Sequence, residues 1–101
     1  MQAQTLTVLY NFTGSSDGGY PYAGLVRDMA GNLYGTTYLG DTSSNGIVFK
    51  LDTSGAEIVL YSFTGEADGR QPSTGLAQDN VGNFYGITTD GGSSGYGVVF
   101  K

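Results

Sequence analysis

Residues 28–38 read DMAGNLYGTTY, and residues 79–89 read DNVGNFYGITT. Asp28 and Asp79 are 51 residues apart, and so are Tyr34 and Tyr85. The copies align without a gap from Val8–Lys50 to Val59–Lys101, with 23 of 43 positions identical. The chain is therefore two copies of one unit, repeat 1 at about 6–50 and repeat 2 at about 57–101. Within each unit Gly-rich turns separate short Thr/Val/Tyr/Phe-rich runs, which predicts an all-β chain. No window carries apolar residues at helical spacing over three turns.

Taken in order, the first expected strand is TLTVLYNF (5–12), matched by AEIVLYSF (56–63). In the second copy both faces are apolar, with Ile58 and Leu60 opposite Val59, Tyr61 and Phe63. That pattern belongs to a sheet covered on both sides. Loops 13–22 and 64–73 follow, each with an Asp-Gly pair for the turn and a Pro that fixes extended chain before the next strand. GLVRD (24–28) and GLAQD (75–79) are short strands. Ala30-Gly31-Asn32 and Val81-Gly82-Asn83 turn them into LYGTTY (33–38) and FYGITT (84–89). After loops 39–45 and 90–96 come GIVFKLD (46–52) and GVVFK (97–101). A repeat of this length with four short strands predicts propeller blades, two four-stranded antiparallel blades per chain. Such a blade cannot bury two apolar faces by itself and needs neighbours.

The composition removes several chemistries. The chain has no His and no Cys, hence no imidazole base, no thiolate and no disulfide framework. A formal charge of -5 with four scattered basic residues disfavours nucleic-acid phosphate, and no nucleic-acid partner is expected. No apolar run is long enough for membrane insertion. The start, MQAQT, has no signal-peptide core and reads like what remains after one is removed.

GLVRDMAGNLYGTT, GIVFKLD, VLYSFTG and the Asp-Gly-to-Pro loop resemble the Gloeobacter/Verrucomicrobia-type (GloVer) tandem repeat, from about Leu6 to Lys101. More loosely, the succession is similar to blades of NHL-type propellers. The resemblance implies a propeller repeat in a secreted or cell-surface setting, used in longer arrays and without an assigned activity. By analogy with NHL-type blades, GLVRD is innermost and VLYSF outermost. Residues 6–12 are then an outer strand without its own blade, and residues 75–101 are three strands lacking their outer partner. Unpaired edges recruit another chain. The expectation is homo-oligomerisation, with the 6–12 strand completing the last blade of a neighbouring copy. A six-bladed trimer is favoured, with an eight-bladed tetramer second.

Strand direction puts loops 13–22, 39–45 and their repeats on one face. That face carries Asp17, Asp41, Glu66, Asp68 and Asp90 against Arg70, a net -4. Tyr20, Tyr22, Tyr38 and Tyr96 share it. Tyrosines beside Asp and Asn stack on sugars and hydrogen-bond them. The candidate glycan-binding residues are thus Asp17, Tyr20, Tyr22, Tyr38, Asp41, Asn45, Asp68, Arg70, Asp90 and Tyr96. Asp41, Ser43 and Asn45 supply calcium-type oxygens but without calcium-loop spacing, and the other copy reads DGGSSGY. We expect no metal and no cofactor. A carboxylate-based hydrolase would need a defined acid pair, and none stands apart from the turn residues; the chain is expected not to be an enzyme. Asp28 and Asp79 admit two readings, a carboxylate ring in a central channel or caps on their hairpin turns; the second is preferred. Tyr10, Phe12, Tyr34, Phe49, Tyr61, Phe63, Tyr85 and Phe100 are the expected core between blades.

Overall fold

A computed structural model describes residues 6–21, 23–39, 45–72 and 75–101. It contains two four-stranded antiparallel sheets and, among the described residues, no helix. Sheet one runs β1 (Val26–Arg27), β2 (Leu33–Thr37), β3 (Ile47–Leu51) and β4 (Glu57–Ser62), each beside the next. In sheet two, β7 (Phe84–Asp90) is central. It pairs with β6 (Ala77–Gln78), with β8 (Val99–Phe100) and, at its far end, with β5 (Arg70–Pro72).

Most strands are shorter than the sequence suggests, while β7 runs one residue further, to Asp90. Two differences stand out. Residues 70–72, read as loop, form β5, with Arg70 opposite Asp90 and Pro72 opposite Thr88. Repeat 1 makes the same approach as a single bridge, Gly19 to Leu39. Residues 6–12, read as a strand, are in none. An outer strand exists only against an inner edge, and the edge of β3 already carries β4.

The repeated Tyr-Gly has a packing cause. Gly35 stands opposite Phe49, and Gly86 opposite Phe100. A Cβ on Gly35 would lie 2.9 Å from the Phe49 ring and 2.8 Å from Leu25. Each Phe therefore lies across a strand position where no side chain fits.

Between the sheets, Phe63 packs edge-to-face on Phe100 with centroids 5.2 Å apart, and Tyr34 meets Phe84 at 4.3 Å. Such pairs contribute about 0.5–1.5 kcal/mol beyond their burial. Repeat 1 shows the same contact one unit earlier, Phe12 on Phe49 at 5.1 Å. Of the eight aromatics expected as core, Phe49 and Phe63 are buried, while Tyr10, Phe12, Tyr34 and Phe100 are half-buried. Tyr61, 46% exposed, and Tyr85 are corrections. Their hydroxyls donate to Asp68 and Asp79 at the surface, and among the described residues no third sheet covers their rings.

Candidate functional site

Two regions merit a functional reading, the loop face and the edge at β8. The loop face is built first by its aspartates. Asp17 accepts hydrogen bonds from Tyr10 Oη (2.8 Å), Thr13 N (3.0 Å) and Thr13 Oγ1 (2.5 Å). Asp68 accepts the same set from Tyr61 and Thr64. Partial burial raises the Asp68 carboxyl, but the Thr64 and Tyr61 hydrogen bonds outweigh it and hold it at about 2. The Asp17 hydrogen bond helps push the Tyr10 phenol up to about 12. Both carboxylates thus tie a loop to the chain segment before it.

Tyr20 and Gln71 hold one repeat position, and both adopt left-handed backbone, at φ 55° and 56°. The conformation belongs to the loop rather than to the tyrosine. Tyr38 N donates to Tyr20 O at 3.0 Å, which brings Tyr20 and Tyr38 together. Asn45 lies between repeats, its carbonyl accepting from Gln71 N at 2.6 Å. Arg70 and Asp90 face each other across β5 and β7. Tyr96, in a bridge with Gly91, is 90% exposed. Tyr22 and Asp41 lie outside the described residues, as does most of the oxygen-rich loop at 41–44. Among the described residues no cluster of acids has the grouping a metal ion needs.

Asp28 and Asp79 cap their turns. Asp28 Oδ1 accepts from Ala30 N and Asn32 N at 3.0 and 2.9 Å, and Oδ2 from Asn32 Nδ2 and Tyr34 Oη at 3.0 and 2.9 Å. Asp79 repeats all four contacts. Asp52 uses the same device at the turn into β4, capping Ser54 and Ala56. The Asn32 side-chain hydrogen bond is the main cause that holds the Asp28 carboxyl at about 2, and Asn83 lowers Asp79 further. An unfolded Asp titrates near ~3.9. Because the folded values are depressed, this stabilisation is present above pH ~4 and is lost as pH falls toward 2. We expect the melting temperature to fall over that window, and to fall less in Asp28→Asn/Asp79→Asn, read by circular dichroism. Equal acid sensitivity in both proteins would count against the caps as its source.

Sequence reasoning missed Glu57. It opens the apolar strand β4, and its Oε2 is buried without a hydrogen-bond partner among the described residues. Burial, then the charge of Asp17, raises its carboxyl to about 7. The available signal was a copy difference, because repeat 1 has Leu6 at this position.

The second region is a groove of about 740 Å³ between the sheets, lined by Leu60, Tyr61 and Phe63 on one side and Leu76, Val99 and Phe100 on the other. β8 pairs with β7 on one side only, and Val99 is 80% exposed. Val48, its counterpart in repeat 1, is half-buried beneath β4.

The Gloeobacter/Verrucomicrobia repeat matches residues 1–101. The chain belongs to this repeat family. Within the match, the residues with repeated structural roles are the Asp caps, the Gly-over-Phe crossings and the Asp-Gly loop. No curated protein and no solved structure is significantly similar to the chain. The Gloeobacter/Verrucomicrobia repeat thus names an architecture, and the identity of any ligand rests on the surface chemistry.

Proposed function

We propose that this chain is a self-assembling β-propeller module with a structural or binding role, not a catalyst, working in a secreted or cell-surface setting. Its sheets act as blades, and copies associate head to tail into a closed ring. The observation that carries this is the unequal burial of equivalent residues. Leu76 is buried between the sheets, whereas Leu25, its counterpart, is exposed. Conversely, Val48 is half-buried and Val99 exposed. The two outer sides of the pair are thus the two halves of the contact already made inside it. Complementary halves on opposite sides make a heterologous interface, which gives a ring when the rotation closes.

Light scattering behind a sizing column tests this. The expected mass is three protomers of 10.5 kDa each, unchanged on dilution. Four protomers would mean an eight-bladed ring, and a stable monomer would overturn the reading.

Glycan capture on the loop face is the second reading, favoured by the exposed rings of Tyr20 and Tyr96 beside an acidic surface. Binding on a glycan array, lost in Tyr20→Ala/Tyr96→Ala, is its test.

A further inference from the structure

We propose that the free edge of β8 is the docking site for residues 6–12 of a second copy of this chain, in one defined register. The inference rests on the ring reading and adds where, and in what alignment, the copies meet.

Phe63 does two jobs. Its N–H donates to Gly46 O at 3.0 Å in sheet one, and its ring packs on Phe100 of sheet two. Phe12, one repeat earlier, does only the second job, with its ring on Phe49. The first job requires a sheet that precedes sheet one and whose third strand offers the Gly97 carbonyl. Among the described residues the Gly97 carbonyl belongs to sheet two, which follows sheet one. A second copy supplies it on the correct side.

The segment matches the site. Val8, Leu9, Tyr10 and Phe12 are the same residues as Val59, Leu60, Tyr61 and Phe63. Residues 6–12 are in no strand, and Leu6, Val8 and Leu9 are exposed. Leu9 lines one cleft with the β1–β2 turn of sheet one, as Leu60 lines one with the β6–β7 turn of sheet two. The Phe12–Phe49 contact anchors the end of the segment, and residues 6–9 are exposed.

The register follows from β3 and β4. There Leu51 pairs with Glu57, Lys50 with Ile58, Phe49 with Val59 and Val48 with Tyr61, with Leu60 as the bulged residue. Moved by one repeat, Lys101 pairs with Thr7 of the second copy, Phe100 with Val8 and Val99 with Tyr10. Leu9 becomes the bulge.

The chain has no cysteine, so introduced pairs report cleanly. Thr7→Cys and Lys101→Cys change two exposed residues. Their Cα atoms, as directly opposed neighbours, would lie about 4.5–5.5 Å apart, within disulfide reach. Asn11→Cys would lie roughly 13 Å from the Lys101 position, at about 3.3 Å per residue. Mixing the Thr7→Cys and Lys101→Cys chains and oxidising should give a covalent dimer on a denaturing gel. The Asn11→Cys and Lys101→Cys mixture should not. Cross-linking by the Asn11 pair instead would overturn the register. An oligomeric mass with neither pair linking would overturn this docking site and leave the ring reading intact. A monomeric mass would overturn both.

Discussion

Phe63→Ala is expected to destabilise the chain by about 3–5 kcal/mol, the usual cost of emptying a buried aromatic site. Phe63 is 2% exposed, so nothing from solvent fills the space. Its ring also holds the edge-to-face contacts with Phe100 and Tyr61, with centroids 5.2 Å apart in each pair. At about 4–8 °C per kcal/mol for a domain of this size, the melting temperature should fall by more than 10 °C. Urea unfolding followed by circular dichroism reads the change, and a loss below about 1 kcal/mol would contradict the packing described. Phe12→Ala is the informative companion. Phe12 is only half-buried within one chain, so in a monomer its loss should be clearly smaller than that of Phe63. In a ring every chain junction repeats the internal one. The two losses should then be similar.

Gly46→Ala should destabilise by about 2–6 kcal/mol, adding backbone strain of about 1–3 to overpacking of about 1–3. Gly46 has φ +92°, where an L side chain is strained. A Cβ there would sit 2.5 Å from Thr37 O and 3.0 Å from Tyr38 O, both fixed backbone atoms. Gly55→Ala separates the two effects. Its φ is +91°, yet a Cβ there meets nothing within 4 Å. It should carry the strain alone, about 1–3 kcal/mol. Equal losses at the two glycines would show that the collision with Thr37 O is relieved by movement of β2. Chemical denaturation of both variants decides the matter.

Much of the fold was legible because the chain repeats. A match at constant spacing identifies turns and strands together, since both copies build a sheet of the same plan. The Asp28 cap was readable for a local reason: its partners, Ala30, Asn32 and Tyr34, lie within six residues. Asp17 was read as a surface charge open to a ligand. Its partners, Tyr10 and Thr13, are also near in sequence, but a loop gives no periodicity from which to infer where a carboxylate points. β5 was missed because Arg70–Pro72 has no strand-like pattern. Its middle residue, Gln71, is left-handed, and it pairs with the end of β7 through Arg70 and Pro72.

The sequence by itself determined the all-β character, the two repeated units, the turn positions and the family, because these depend on local conformational preference and on self-similarity. Only the tertiary structure decided which aromatics are covered. Tyr10 and Tyr61 are the same residue in the same motif, as are Phe12 and Phe63, and Val48 and Val99. Their burial differs because coverage depends on whether a sheet lies beyond each one, which no single repeat encodes. That difference in coverage leaves Val99 of β8, and Leu6, Val8 and Leu9, exposed.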